Sequence, residues 1–407
     1  MVATVAAALA LAGCDATAKA DAPATGPAGA KATGASSSAS SAPHQFALVV
    51  APSPAPNTAD LVVAVAGGTL NSVTVASRGG HVLAGGLAAD GHTWTSSELP
   101  APGAAYIVVA TATSATGATK RLTTLVEVAP LVGASTIGYD ITPSSGWTVG
   151  VNAPVVIRFH SAVTDRATVE RAITVTTSKP VIGSWHWISS RELHFRPQTT
   201  WPTHLRVHVV AALEGVRAGA KLLGRYDTTI DFATGDSHVT TVNGKTHMFT
   251  VVVNGKVWAN WPTSLGRPEF VTRSGSYIVL SKEPTRQMTS CHAKITCDPK
   301  NKNFYDLKVD WDARLTWSGT FIHSAPWSVA HQGVDNVSHG CINLSPARAT
   351  AFYNLARYGD LVTVTGTSRT AADLIAVQDP GMTDWNTSWT DWVAGSALGA
   401  SITTGAI

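Results

Sequence analysis

The segment "VSHGCINLSPARATAFYNLARYGDLVTV", residues 337–364, holds the sharpest change of pattern in the chain. Small and polar residues give way at Ser345 and Pro346 to helical spacing. After Gly359 come the β-formers Leu361, Val362, Thr363 and Val364. A serine suits a helix N-cap because its oxygen accepts from the unpaired first-turn amides, and proline suits the first helical position. Phe352, Leu355 and Ala356 recur at helical spacing, and Gly359 offers a stop. Residues 337–344 therefore read as a strand-to-helix connection, where backbone N–H groups are available to an anion. Cys341 sits in that connection, directly after Gly340 and two residues after His339.

Upstream, the same region reads as further strands. "HMFTVVVNGKVWANWP" sets an Asn-Gly pair between two apolar runs, the pattern of a hairpin turn. "GSYIVLSKE" and "RLTWSGTFIHS" continue the theme. Residues 130–236 show clean alternation: Leu205, Val207 and Val209 share one face of "THLRVHVVA". Trp185 and Trp187, with Leu193 and Phe195, predict a hairpin with aromatic cross-strand packing. The histidines of these strands read as solvent-facing. Residues 46–129 carry short strands broken by turn signals, as an all-β sandwich does. Downstream, Trp385, Trp389 and Trp392 stand at i, i+4 and i+7, a packing stripe on one short helix against the preceding domain.

Bulk composition agrees with a β-rich chain. Of 407 residues only 14% are charged, and the net charge is +3 with scattered basic groups. That leaves no clustered basic face for nucleic acid. The apolar run Val2–Ala12 is too short to span a bilayer and fits the core of a secretory leader, with a true start upstream expected from the missing basic residues. "LAGC" resembles a bacterial lipoprotein processing box, which would make Cys14 the lipidated residue. The protein is then expected on the outer face of the plasma membrane, facing the wall and touching the membrane only through its N-terminal lipid. Residues 15–45 have almost no large apolar side chains and read as a flexible linker.

With Cys14 assigned to lipid, Cys291 and Cys297 lie close together in "SCHAKITCDP", and an exported chain allows a disulfide between them. Cys341 remains. A metal site lacks standard ligand spacing, a disulfide would strand another cysteine, and a buried structural thiol sits poorly beside Ser338, His339, Gly340 and Asn343. A nucleophile needs a base within reach and an orienting group behind it. Gly340 permits close approach of a substrate carbonyl, and the amides of His339, Gly340 and Cys341 are candidate oxyanion donors. The base is His339 or a histidine elsewhere; spacing does not choose.

The run "HSAPWSVAHQGVDNVSHGCINLSP" resembles the signature of the L,D-transpeptidase family, which cross-links bacterial peptidoglycan: a His, a variable stretch, then Ser/Thr-His-Gly-Cys-x-Asn. His323 and Cys341 lie 18 positions apart. The resemblance extends from about residue 240 to the Trp-rich tail, and the β modules with the lipid box resemble the layout of actinobacterial members. It implies a mainly β architecture: leader 1–14, linker 15–45, Ig-like β-sandwich modules 46–129 and 130–236, catalytic domain 237–366 with a short helix, and a Trp-rich C-terminal subdomain 367–407. Cys341 is similar to the acylated nucleophile and His323 to the general base and acid. The Ser324 carbonyl resembles the group that orients His323, and His339 and Gly340 belong to the oxyanion segment. Asn343, Tyr305, Trp327 and Met288 match substrate-binding positions. Peptidoglycan tetrapeptide stems are implied as donor and acceptor, carbapenem-type β-lactams as inhibitors, and no cofactor or metal. Hydrolysis by an L,D-carboxypeptidase, or an idle wall-binding lipoprotein, are the alternatives. "TRSGSY" keeps Gly275 of a family turn but lacks its proline, and Cys291 and Cys297 fall where relatives carry a lid.

Overall fold

The computed structural model describes residues 46–50, 54–78, 80–376, 379 and 383–407. The leader with Cys14 and the linker 15–45 lie outside the described residues.

The fold is mostly β and holds three hydrophobic cores. The first gathers Leu61, Val63, Val75, Trp94, Tyr106 and Val108 between a four-stranded and a three-stranded sheet. The second fills the space between two five-stranded sheets with Ile157, Leu193, Phe195, Trp201, Leu205, Val207 and Val209. The alternation of 205–209 thus faces inward, as its period of two requires. Trp185 lies opposite Phe195 in an antiparallel hairpin, with their rings 5.1 Å apart.

The expectation that the histidines of these strands face solvent fails at His194. It is buried, with Nδ1 2.9 Å from Asp384 Oδ1 and Nε2 2.8 Å from Glu192 Oε1. Burial opposes its charge, but the two carboxylates more than offset this and raise its pKa to about 9.

The C-terminal segment belongs to this second core as much as to the catalytic one. The strand Ile402–Thr403 pairs with Ile182–Trp187, and Gly405–Ala406 pairs with Ile173–Thr177, so one edge of each of these two five-stranded sheets is covered by residues 402–406. The tryptophan stripe is also rearranged. Helix Thr383–Asn386 and helix Trp389–Ala394, the latter capped by Ser388, replace the single expected helix. All three rings converge on Arg196 of the second module, at 4.8, 5.3 and 4.5 Å for Trp385, Trp389 and Trp392. A guanidinium stacked on several aromatic faces won over a stripe along one helix.

The third core is built from Val242, Phe249, Val251, Leu265, Tyr277, Ile322, Ile342, Leu344 and Phe352. It lies among a five-stranded sheet, a four-stranded sheet and the helix Pro346–Leu355. Met248–Val253 and Lys256–Pro262 form the expected hairpin, and Asn254 and Gly255 both have positive φ, 48° and 78°. Ser345 occupies the helix N-cap and Pro346 the first turn, but the helix ends at Leu355 with Ala356 as cap, ahead of Gly359. The four-stranded sheet runs Ser281–Thr289, Asp306–Arg314, Phe321–Ser324, Ile342–Leu344. Its first two strands are joined by the loop 290–305, the segment expected to form a lid, and its last two carry the motif.

Candidate active site

Phe321–Ser324 and Ile342–Leu344 run parallel, with His323 opposite Asn343 and Ile322 opposite Ile342. Ile322, Ile342 and Leu344 go to the core, so His323 and Asn343 share the other face. Cys341 precedes Ile342 by one residue and falls on that same face. A separation of 18 residues thus becomes one row of a sheet. A cavity of about 210 Å³ opens there, and it brings together Cys341, His323, His339, Asn343, Tyr305, Trp327 and Met288. A second cavity of about 330 Å³, walled by Arg286, His292, Trp317 and Gly319, shares Met288, Tyr305 and Cys341 with the first. The sulfur stands where the two meet.

The hydrogen bonds distinguish the two histidines that spacing left equivalent. His323 Nδ1 lies 2.8 Å from the Ser324 carbonyl oxygen. A carbonyl only accepts, so Nδ1 carries the proton and Nε2 keeps its lone pair. Burial lowers the His323 pKa, with the bond to the Ser324 carbonyl opposing it. His339 Nε2 lies 2.9 Å from Arg267 Nη2, which only donates. That lone pair is already taken, and burial together with the Arg267 charge lowers the pKa of His339. His323 is therefore the ring poised to receive a proton.

Cys341 is a free, half-buried thiol. Burial pushes its pKa up to about 11, with a bond from the Phe321 amide opposing the rise. These shifts favour a protonated thiol beside a neutral imidazole. The thiol donates to the Gly319 carbonyl oxygen at 3.7 Å, and among the described residues no hydrogen bond joins it to His323.

The loop before the sulfur is tied down by its own side chains. Ser338 Oγ donates to the Cys341 carbonyl at 2.6 Å and accepts from the Gly340 amide at 3.0 Å. The Gly340 amide is thereby engaged, so its use as an oxyanion donor requires Ser338 to let go. Gly340 has φ +118°, a backbone region that favours glycine, while a Cβ there would meet nothing nearer than the Phe270 carbonyl at 3.6 Å. Conformation, not crowding, demands the glycine. Thr272 Oγ1 donates to the Gly340 carbonyl at 2.9 Å.

The remaining predicted residues line the walls. The Tyr305 ring packs 5.0 Å from His339, and burial raises its pKa to about 12, with the Cys341 charge adding to the rise. Asn343 Nδ2 donates to Ser328 Oγ at 3.2 Å, while its buried Oδ1 has no partner among the described residues. Trp327 is half-exposed at the rim, its ring 6.1 Å from His323. Met288 lies on the lid strand. Cys291 and Cys297 are joined in a disulfide in the lid loop. Sequence reasoning did not find Arg267, Thr272, Ser328 or Gly319, whose roles depend on partners far along the chain. Ser338 alone was signalled, as a fixed position of the motif.

A family model described as the L,D-transpeptidase catalytic domain matches residues 237–364, and one for a bacterial Ig domain matches 54–217. The chain is 37% identical over 339 residues to L,D-transpeptidase 2 of Mycobacterium tuberculosis (strain CDC 1551 / Oshkosh), covering 83% of this chain and 81% of that protein. It is 33% identical over 358 residues to L,D-transpeptidase 5 of Mycobacterium tuberculosis (strain ATCC 25618 / H37Rv), covering 85% and 76%. A solved structure of an L,D-transpeptidase in complex with imipenem is 39% identical, with a TM-score of 0.49, covering 56% of this chain and 99% of that one. Ig-like β structure followed by this catalytic domain defines a class of enzymes that act on peptidoglycan. The chain belongs to the L,D-transpeptidase family.

Proposed function

We propose that the protein forms cross-links between the third residues of peptidoglycan stems by way of a thioester on Cys341. His323 Nε2 takes the thiol proton as the sulfur attacks the carbonyl joining residues three and four of a tetrapeptide stem. The same imidazolium then protonates the departing D-alanine. An amine on a second stem, deprotonated by His323, takes the acyl group and frees the thiol. The Ser324 carbonyl orients His323, and an imidazole so fixed accepts at Nε2 alone. The amides of His339 and Cys341 meet the developing oxyanion, and that of Gly340 joins them once Ser338 releases it. Tyr305, Asn343, Trp327 and Met288 hold the acyl chain, and the orphaned Asn343 oxygen awaits a donor from the substrate. Two cavities meeting at one sulfur suit a donor and an acceptor that approach from different sides.

The observation that carries this reading is the parallel register that puts His323 and Cys341 on one face of one cavity, with the His323 tautomer set by Ser324. Burial raises the pKa of the thiol and lowers that of the imidazole, which favours proton transfer on substrate binding over a resting ion pair. Intact-protein mass spectrometry with a carbapenem tests the nucleophile: the wild type gains one adduct, and a Cys341→Ala variant that still gained it would sink the assignment. Incubation with two stem peptides separates transfer from hydrolysis, since dimer supports the transpeptidase and free tripeptide alone indicates an L,D-carboxypeptidase. D-alanine release excludes an idle wall-binding lipoprotein.

We further propose that Cys14 anchors the chain by lipid to the outer face of the plasma membrane and that the two β modules raise the catalytic domain toward the wall. Radiolabelled palmitate incorporated by the full-length protein and lost in Cys14→Ala supports the anchor; equal labelling of both refutes it.

A further inference from the structure

The carbonyl that receives the Cys341 thiol sits on a tight turn, and that turn is held by a residue from the far C-terminal segment. Residues 315–320 connect the lid strand Asp306–Arg314 to the His323 strand. Within the turn, the Thr320 amide bonds to Thr316 Oγ1 at 2.9 Å, and Ser318 Oγ bonds to the same oxygen at 3.0 Å. Arg314 Nη1 donates to the Thr316 carbonyl at 3.2 Å. Two amides point outward from the turn, and both end on one carboxylate: Trp317 N to Asp379 Oδ1 and Ser318 N to Asp379 Oδ2, each 3.0 Å. Asp379 is buried, and it lies more than sixty residues from the turn in sequence. Gly319 comes next, with φ +111° and its carbonyl oxygen 3.7 Å from Cys341 Sγ.

We propose that Asp379 is a positioning residue for the nucleophile: by clamping the amides of Trp317 and Ser318 it aims the Gly319 carbonyl at Cys341 and keeps the thiol proton engaged there until substrate draws it to His323. This rests on the reading of Cys341 as nucleophile. Its physical basis is simple. A carbonyl oxygen accepts from S–H but repels a thiolate, so a well-aimed carbonyl favours the protonated sulfur. A carboxylate receiving two amides fixes the turn more firmly than neutral acceptors would, because charge-assisted bonds are stronger. Freeing the turn removes a specific acceptor without altering the sulfur or its base, and among the cavity walls it loosens only the Trp317–Gly319 side of the second cavity.

The groups that face the sulfur from the surrounding elements are His323 on its own sheet, Tyr305 at the end of the loop 290–305, Asp312 and Arg314 on the strand Asp306–Arg314, Arg286 and His292 across the second cavity, and His339 on its own loop. Asp379 acts on the sulfur through the turn and not as one of these charges. That makes the two substitutions Asp379→Ala and Asp379→Asn informative together. Both remove the charge, but asparagine retains an oxygen that can hold one of the two amides.

The test is the pH profile of Cys341 alkylation by iodoacetamide, read by intact mass on the full-length protein, with Cys341→Ala as the blank. The midpoint is expected to fall by roughly half a pH unit in Asp379→Ala, the size of one lost neutral hydrogen bond, and by less in Asp379→Asn. Profiles superimposable on the wild type in a folded variant would overturn the proposal, and so would equal shifts in both variants, which would assign the effect to charge alone. If Asp379→Ala does not fold, Asp379→Glu decides: it keeps the charge but displaces the carboxylate from the two amides, so a downward shift supports the clamp and a wild-type profile refutes it. The profile reads the sulfur directly, so it judges Asp379 separately from the transferase reading, whose own failure would show as no carbapenem adduct on Cys341.

Discussion

His194 and His323 are both almost completely buried, yet their surroundings shift their pKa values in opposite directions. His194 lies between Glu192 and Asp384, and the two carboxylates raise its pKa to about 9 despite burial. His323 faces only the Ser324 carbonyl, and burial lowers its pKa. The first is a cation that ties the C-terminal segment to the second β module, since Asp384 comes from one and His194 from the other. The second is a neutral base with a fixed tautomer. A buried imidazole with carboxylates on both nitrogens is a lock, and one with a single backbone acceptor is free to move protons.

Removing each ring should therefore damage different properties. His323→Ala should cut carbapenem acylation by about 10²–10⁴-fold, the usual worth of a positioned base, while leaving thermal unfolding close to wild type. Comparable acylation rates would refute the role given to His323. His194→Gln should do the reverse. It leaves the buried Asp384 without its cation, a defect costing about 3–5 kcal/mol, while the part-exposed Glu192 keeps Arg158, so the urea midpoint should fall while the folded fraction still acylates.

The two histidines also give opposite slopes of stability against pH. His194 has a raised folded pKa, so its contribution, on the order of 3 kcal/mol, is complete below the unfolded value of about 6.5 and is lost as pH rises through about 9. His323 has a lowered folded pKa, so it costs nothing above about 6.5 and destabilises the fold as pH falls below that value. Urea titrations of wild type and His194→Gln at pH 6 and pH 9.5 should converge at the higher pH. A constant gap between them would mean that His194 is uncharged in the native state.

The same contrast explains what could be read from the sequence. Short-range rules were sufficient for the alternation of Leu205, Val207 and Val209, the Asn254-Gly255 turn and the start of the helix at Ser345 and Pro346. His323, His339, Cys341 and Asn343 came from a motif whose two ends the parallel strands Phe321–Ser324 and Ile342–Leu344 bring to one face. His194 was misjudged because alternation reports which face a side chain takes, not what later covers that face. Its cover is Asp384, 190 residues on. Asp379 escaped notice for the same reason, and so did the gathering of three tryptophans on Arg196. Chain-end docking leaves no local period, so only the folded structure shows it.

Gly340 offers a smaller and sharper probe. Its φ of +118° costs a side-chain-bearing residue about 1–3 kcal/mol, yet a Cβ has space there. Gly340→Ala should therefore lose acylation through displacement of the Cys341 loop while its melting temperature drops only modestly. A variant as active as wild type would show that the Ser338 bonds alone fix the loop.

The lid disulfide should have the smallest effect. Cys291 and Cys297 close a loop with a separation of six residues, which by chain entropy alone limits the bond to about 2 kcal/mol. The loop is also held without it. Ser290 N bonds to the Tyr305 carbonyl at 2.9 Å, Ser290 Oγ to the Thr296 carbonyl at 2.7 Å, and Tyr305 N to Ser290 Oγ at 3.2 Å. Arg267 Nη2 adds a 2.8 Å bond to Asn303 from outside the loop. Because these bonds keep Tyr305 against His339, Cys291→Ser/Cys297→Ser should acylate within about threefold of wild type, less than the effect of losing one ordinary hydrogen bond. A larger loss would mean that the disulfide, and not Ser290, sets the position of Tyr305, and that chemistry at the motif strands depends on the lid more than its hydrogen bonds indicate.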